Sequence, residues 1–456
     1  MNKYKKLLTN SAIFAIGNFG SKLLLLILVP FYTYHLSTSE YGKADLISTT
    51  INMLLPLVSL SIQEATLRFS INESAFLQKK VLVNSVIATL LSSFLFLTIL
   101  VIVNFFIKVD YMQFVFLILI LQAFQNVFAQ FLRATGKIKI YALNGILLTL
   151  VLAASNIVLL RFFEMGIDGY LLSIIVANSI SVLFMLSIIH LDAFKFHVFD
   201  LTLLKSMLVY TIPLIPNAFM WWLMNASSRY FIAFFLGASV NGLFAVASKI
   251  PSVLSMIQTI FFQAWQLSAI DEIDSDNKSI FYSSIFKWLS GIMIIATSVI
   301  LLFLKNIMNV IVEQSFFDAW QAVPFLLISL IFSSYSSFFG TFYIAAKKTK
   351  GIMTTSLYGA VISIVGNLVF ISSLGLMGAG ISTSISFLFI WILRIKETQD
   401  FVNVAVPIKI LLVSFILLII QMINIYTLDV FLFNLIVFSS LVFVWIKAIL
   451  KDVKRV

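Results

Sequence analysis

Long apolar runs, separated by a few polar residues, fill almost the whole chain. A hydrocarbon core about 30 Å thick needs about 20 apolar residues per helix. Runs of about this kind occur at 10–34, 43–67, 81–107, 112–132, 141–160, 169–191, 209–235, 242–266, 281–304, 321–344, 352–373, 378–393, 407–426 and 430–446. Backbone groups inside a bilayer must be hydrogen-bonded within the segment, which favours helices over open strands. The pattern predicts an all-α polytopic membrane protein with about 14 transmembrane helices.

Composition supports this prediction. Hydrophobic residues make up 61% of the chain and charged residues 11%, against about 45–50% and 25% in soluble domains. The apolar run that follows the basic start, residues 1–6, is too long for a signal peptide and lacks a small-residue cleavage site, so we expect an uncleaved first helix. The absence of cysteine excludes disulfides, iron–sulfur clusters and thiolate chemistry.

The net charge of +11 would suggest a nucleic-acid partner in a soluble protein. Here the basic residues sort by side of the membrane instead, as cytoplasmic loops are enriched in Lys and Arg. With both termini cytoplasmic, the termini and the loops that face the cytoplasm hold 21 basic residues, and the outer loops hold four. Those loops are 68–80, 133–140, 192–208, 267–280, 345–351 and 394–406. We expect a multi-pass protein of the cell membrane that binds no nucleic acid.

The chain contains an internal repeat. At an offset of 200 residues, Leu36, Ser39, Gly42, Ser48, Leu54 and Gln63 match Leu236, Ser239, Gly242, Ser248, Leu254 and Gln263. At an offset of 211, the polar stripe Gln122, Gln125, Asn126 and Gln130 falls on Ser333, Ser336, Ser337 and Thr341, and Asn156 falls on Asn367. We expect two six-helix lobes, 1–200 and 201–400, related as a parallel repeat around a central cavity. Residues 401–456 add a helix pair and a basic cytoplasmic tail.

Cations within the predicted spans are candidate functional residues, because a charge deep in a bilayer costs about 2.5–3.5 kcal/mol. Lys22 lies in the middle of the first span, with Asn18 one turn earlier, and is expected to face a cavity, with a structural ion pair as the alternative. Arg229 and Lys249 lie nearer the outer ends of their spans, so a functional role and snorkelling to the headgroups both stay open.

Trp222 and Asn225 offer stacking and hydrogen bonds to sugars, and ordinary packing is the alternative. Prolines also interrupt the first helix of each predicted lobe: Pro30 in the first span, and Pro213 and Pro216 in the seventh. Proline removes a backbone hydrogen bond and permits a bend, so the first helix of each lobe is expected to be bendable.

The run SKLLLLILVPFYTYHLSTSEYGKADL, its echo RYFIAFFLGASVNGLFAVASKI and the later stretch SIVGNLVFISSLGLMGAGIST are similar to polysaccharide-transporter flippases. These are the Wzx-type members of the superfamily that also holds MATE drug exporters and the lipid II flippase. The resemblance implies a flippase that moves a polyprenyl-pyrophosphate-linked oligosaccharide from the inner to the outer leaflet by alternating access. It also implies membrane lipids and other polysaccharide-assembly proteins as partners. The deep cations favour such an anionic cargo.

Two alternatives stay open: a MATE-type multidrug or cation antiporter, and a membrane polysaccharide polymerase. Cationic drugs call for buried carboxylates, whereas the spans favour Lys and Arg. A polymerase needs a substantial catalytic surface outside the membrane, and the largest outer loop is about 306–320. No Walker A motif and no metal-ligand spacing occur. We therefore expect no enzyme activity, no metal and no cofactor.

Overall fold

The protein folds into membrane-length helices. The computed structural model describes residues 27–106, 108, 110–189, 198–271, 278–346, 350–400 and 402–453. Within these ranges twelve helices are long and apolar enough to cross a membrane, and the bent pair Thr38–Val58 and Ile62–Ser70 adds a thirteenth span. Each coincides with a span predicted from the sequence. The remaining prediction, 10–34, lies mostly outside the described residues. The polytopic all-α fold is confirmed.

The chain divides after Trp222 into two compact units. The first unit contains α1 (27–35), α2 (Thr38–Val58), α3 (Ile62–Ser70), α4 (Ala75–Phe106), α5 (Met112–Ala134), α6 (Ile138–Asn156) with a π-helical turn at Ile157–Phe162, α7 (Gly166–Ile189) and α8 (Leu201–Thr211). Helix α9 (Leu214–Ala226) crosses the boundary.

The second unit contains the remaining helices. They are α10 (Ser228–Leu236), α11 (Ala238–Ala247), α12 (Lys249–Asp271), α13 (Lys278–Leu302), α14 (Leu304–Ile311), a 3-10 segment (Gln314–Gln321), α15 (Val323–Ala345), α16 (Lys350–Leu374), α17 (Leu376–Thr398), α18 (Ile408–Thr427) and α19 (Phe431–Val453). The boundaries proposed from the repeat, at residues 200 and 400, remain a prediction.

The core of the first unit joins α3, α4, α5, α7 and α8. Ile62, Leu82, Leu132 and Met185 are fully buried in one apolar cluster. At the edge of this cluster the Nζ atom of Lys80 lies 3.2 Å from an Asp200 carboxylate oxygen. Asp200 also caps α8, since its side chain accepts a hydrogen bond from the Leu203 backbone N–H in the first turn of that helix.

The second span is broken, although the sequence predicted a continuous helix over 43–67. Helix α2 ends at Val58 and α3 begins at Ile62, and the two are bent by 55°. Pro56 removes one backbone donor, so the helix loses a hydrogen bond near its end. Leu60 and Ser61 then adopt left-handed backbone conformations with φ of 50° each. This break was not predicted.

The seventh span is interrupted beside Pro213, one of the two prolines at which the sequence permits a bend. Helix α8 ends at Thr211 and α9 begins at Leu214, with Pro213 in the gap. A proline ring clashes with the carbonyl four residues earlier and has no N–H to donate, which favours this interruption. A second interruption separates α9 from α10 at Ser227. The seventh span is therefore built from short pieces.

The C-terminal helix pair belongs to the second unit and packs on α13. Trp445 of α19 is fully buried, and its indole N–H donates to the Ser414 hydroxyl at 3.0 Å. The ring lies against Gly291, where a Cβ atom would come within 3.0 Å of it. Gln421 and Ser298 exchange hydrogen bonds of 2.7 and 3.1 Å. Apolar packing and polar contacts together fix the pair to α13.

The loop predicted to begin at residue 394 begins later in the structure, and Arg394 is a helical residue. It lies inside α17 and is 3% exposed. Its Nε atom donates to the Thr355 hydroxyl at 3.0 Å, Nη1 to the Ser336 carbonyl at 2.8 Å and Nη2 to the Ser356 hydroxyl at 3.2 Å. The apolar run ends where the charge begins, but the helix continues because α15 and α16 supply acceptors that satisfy the guanidinium. Arg394 is thus an internal tie between three helices.

Candidate functional site

The second unit contains an open cavity of about 230 Å³. Seven hydroxyl-bearing residues and one arginine line it together with apolar side chains. The lining residues are Ser228, Arg229, Phe244, Ser248, Pro251, Ser252, Ser255, Leu326, Ser329, Leu330, Ser333, Thr383 and Phe387. Sites for drug-sized ligands usually measure about 300–1,000 Å³. The cavity therefore has room for one small group.

The eighth span supplies one wall, next to a one-residue interruption of its helix. Helix α11 ends at Ala247 and α12 begins at Lys249. Pro251 has no N–H to donate to the Ala247 carbonyl, which accounts for the interruption. After it, Ser248, Ser252 and Ser255 follow at spacings of four and three residues, so they share one face of the helix.

Helices α15 and α17 supply the other walls. Ser329 and Ser333 are four residues apart on α15 and therefore lie on one face. Thr383 and Phe387 have the same spacing on α17. Each helix contributes both hydroxyls and apolar side chains, so the cavity has a mixed lining.

Most of these hydroxyls already donate a hydrogen bond within their own helix. Ser248 donates to the Phe244 carbonyl at 2.8 Å, and Ser252 and Ser255 donate to carbonyls three residues earlier at 2.6 and 2.7 Å. Ser329 and Thr383 donate in the same way at 2.8 and 2.9 Å. A hydroxyl has one proton and two lone pairs. These five side chains therefore keep acceptor capacity.

Arg229 supplies the positive charge of the cavity. It is half-buried, and its guanidinium carbon lies 5.5 Å from the centre of the Phe244 ring, a cation–π arrangement. Among the described residues that line the cavity, none is acidic. The local field therefore favours an anion or the negative end of a dipole over a metal cation.

Buried polar contacts fix the backbone next to Arg229. The Ser228 hydroxyl donates to the Asn367 side-chain oxygen at 3.1 Å, and the Asn367 amide donates to the Ser227 hydroxyl at 3.3 Å. Asn367 is fully buried in α16. These bonds tie the start of α10 to α16 and so set the position from which the Arg229 side chain extends.

The other predicted site residues lie in different places. Lys249 begins α12 next to the cavity residue Ser248 but is not among the lining residues. Trp222 lies in the first unit, where its indole N–H donates to the Thr49 carbonyl at 3.1 Å. Asn225 lies in α9, and its side chain is outside the described set. Lys22 and Asn18 lie outside the described residues. Among the described side chains of these six residues, Arg229 lines this cavity and Lys249 and Trp222 do not.

Sequence reasoning missed the hydroxyl lining. The sequence singled out Ser248 and Ser333 only as members of the internal repeat, and it did not single out Ser252, Ser255 or Ser329. A usable signal was present, because serines spaced by four and three residues around Pro251 indicate a polar face on a kinked helix. Within the part of the chain that the structure describes, no group of three or more His, Asp or Glu side chains could hold a metal ion.

Solved structures with the same fold are membrane transporters. Lipid II flippase MurJ in an inward closed conformation matches with a TM-score of 0.69 and 14% identity, covering 97% of this chain and 99% of that chain. An inward-facing multidrug resistance MATE family transporter of the MOP superfamily matches with a TM-score of 0.69 and 14% identity, covering 83% and 94%. At these identities the likeness concerns the fold alone.

A third similar structure is a MOP superfamily transporter from Pyrococcus furiosus, described as having a binding pocket of reverse polarity that suggests a different function. Its TM-score is 0.61 at 12% identity, covering 86% of this chain and 94% of that chain. No curated protein matches the chain significantly. The family model described as polysaccharide biosynthesis protein matches residues 7–266, more than half of the sequence. The chain therefore belongs to the polysaccharide biosynthesis protein family.

Proposed function

We propose that this protein is a flippase that moves a polyprenyl-pyrophosphate-linked oligosaccharide from the inner to the outer leaflet for cell-surface polysaccharide assembly. The observation that carries the proposal is the charge of the cavity in the second unit. Arg229 lines it together with seven hydroxyl-bearing residues, and none of its described lining residues is acidic. Membership of a polysaccharide biosynthesis family supports a sugar-bearing cargo.

The chemistry of arginine fits this cargo. A guanidinium binds phosphate oxygens through paired hydrogen bonds of fixed geometry. In a membrane whose inside is negative, each negative charge moved outward gains about 2.3 kcal/mol per 100 mV. A cationic site in the protein therefore suits a pyrophosphate head group travelling outward.

Alternating access is the proposed mechanism. The predicted lobes, residues 1–200 and 201–400, would rock around a central cavity that takes the head group, while the lipid tail stays in the bilayer. Lys22 and Lys249 are the further proposed cationic contacts, and Asn18, Trp222 and Asn225 the proposed polar and stacking contacts. Both termini would lie in the cytoplasm, as the positive-inside rule predicts.

A MATE-type cation exporter is the second candidate, because a multidrug MATE transporter shares the fold. Charge separates the two functions. A cationic drug needs a carboxylate, and no lining residue in the described part of the chain carries one. The Pyrococcus furiosus transporter supports the principle that pocket polarity distinguishes functions on this fold.

Neutralising the cations tests the proposal. Arg229→Ala and Lys22→Ala should each abolish export of the polysaccharide in cells and translocation of the lipid-linked oligosaccharide in proteoliposomes, at normal protein level. Lys396→Ala, an exposed cation of α17, should export normally. Normal export by both neutral variants would refute the cationic site. Efflux of a cationic dye that survives in these variants would favour the MATE-type alternative.

A further inference from the structure

Five of the seven hydroxyl-bearing residues that line the cavity share one polarity. Ser248, Ser252, Ser255, Ser329 and Thr383 each use their only proton on a carbonyl of their own helix. What they present to a ligand is oxygen lone pairs. A partner of these side chains must therefore bring its own donors, as O–H or N–H groups.

The positive charge of Arg229 limits which ligand groups can bind to these oxygen atoms. Metal cations also seek oxygen lone pairs, but the Arg229 guanidinium lines the same 230 Å³ space and repels them. An ammonium group is disfavoured for the same reason. Neutral hydroxyl and amide donors remain, with an anionic substituent accepted by Arg229.

The apolar side of the cavity adds a shape requirement. Leu326, Leu330 and Phe387 line it alongside the serines, and Phe387 is buried. A ligand must combine a C–H surface with several donors in a small volume. A sugar ring has this combination, with hydroxyls at its rim and C–H groups on its faces.

We infer that this cavity of the second unit is a binding site for one sugar residue, whose hydroxyls or amide N–H donate to the serine and threonine oxygens while its ring packs on the apolar wall. The inference rests on the proposed function and deepens it, since it assigns the sugar part of the cargo to named residues. The volume limits the site to a single residue of the oligosaccharide, so the remaining sugars lie outside it.

Binding of free monosaccharides tests the site without requiring transport. Purified full-length protein in lipid nanodiscs is titrated with glucose, N-acetylglucosamine, inorganic phosphate and tetraphenylphosphonium, and dissociation constants are measured by ligand-observed NMR. We expect the neutral sugars to bind. Removing one acceptor in Ser252→Ala, Ser255→Ala or Ser329→Ala should weaken sugar binding about two- to tenfold each and leave phosphate binding unchanged.

Matched variants and ligands sharpen the test. Ser439 of α19 is exposed and makes the same backbone bond at 2.8 Å, so Ser439→Ala should bind sugars like wild type. Deoxy sugars identify the pairs, because a sugar that lacks the paired hydroxyl should bind wild type and the serine variant equally well.

Some results would overturn the inference. Binding of phosphate without neutral sugars would mean an anion site only, and tighter binding of tetraphenylphosphonium than of sugars would mean a cation site. Serine variants that bind sugars like wild type would also overturn it. A different result would contradict the proposed function alone. In that case the wild-type protein would bind sugars and the serine variants would bind them more weakly, but the wild-type protein would not translocate the lipid-linked oligosaccharide.

Discussion

Replacing Arg394 by methionine tests how far a buried cation stabilises the second unit. The change keeps a long unbranched side chain and removes the charge together with three donated hydrogen bonds. It leaves the Ser336 carbonyl and the hydroxyls of Thr355 and Ser356 without that partner. Helices α15, α16 and α17 lose their common tie, so we expect destabilisation.

The hydrogen bonds and the buried charge set the magnitude. A hydrogen bond to a charged group contributes about 1.5–3 kcal/mol, so three would contribute about 4–9 kcal/mol if they were additive. Bonds from one guanidinium are not independent, and methionine avoids the cost of burying a charge. We therefore expect Arg394→Met to lower the free energy of unfolding by about 2–4 kcal/mol, less than the additive sum.

Unfolding in mixed micelles titrated with SDS measures this loss. Lys396→Met is the matched control, because it removes the same charge from an exposed position of the same helix and should change stability by less than about 0.5 kcal/mol. Gly340→Ala should also destabilise, since its Cβ atom would lie 2.6 Å from Nη1 of Arg394. Equal stability of Arg394→Met and Lys396→Met would refute the reasoning.

Two further predictions concern single contacts. Trp445→Ala should lower the free energy of unfolding by about 3–5 kcal/mol, because it empties a fully buried site; Trp288→Ala, at a ring that is 46% exposed, should cost far less, and equal losses would contradict this. The backbone N–H of Leu203 and then the Lys80 ammonium hold the pKa of Asp200 below its ordinary value of 3.8. The stability difference between wild type and Asp200→Asn should therefore be present above pH 3.8 and disappear as the pH falls through the lowered pKa; a pH-independent difference in unfolding titrations would contradict this.

Much of the fold could be predicted because the bilayer imposes a length on each apolar run. The ends of the helices were less accessible to sequence reasoning. The predicted span 378–393 stops where charges begin, whereas α17 runs from Leu376 to Thr398. A charge ends a hydrophobic pattern, but it does not end a helix when neighbouring helices supply hydrogen-bond acceptors, as they do for Arg394.

The sequence indicated the interruption at Pro213 but not the bend that follows Val58. Pro213 coincides with an interruption in the seventh span, as expected. The bend after Val58 depends on left-handed backbone at Leu60 and Ser61, residue types that rarely adopt that conformation. Tertiary packing around such a position decides its backbone, and a single sequence carries no sign of it.

The residues of the candidate site also differ in how well the sequence predicts them. Arg229 was predicted because a charge in an apolar span is costly and therefore conspicuous. The serines were not, because a hydroxyl bonded to its own helix costs little in a membrane and occurs for many reasons. The convergence of α12, α15 and α17 on one cavity is a tertiary fact, beyond the reach of spacing within one helix.

The self-bonded serines have a consequence for the unloaded transporter. A carrier must return to its starting state without cargo, and empty polar sites normally need water to satisfy them. Here Ser252 or Thr383 keeps its proton bonded to its own helix whether or not anything occupies the space. Neither hydroxyl proton is therefore left without an acceptor during the return step. Water need not enter the cavity to accept these two protons after the cargo is released.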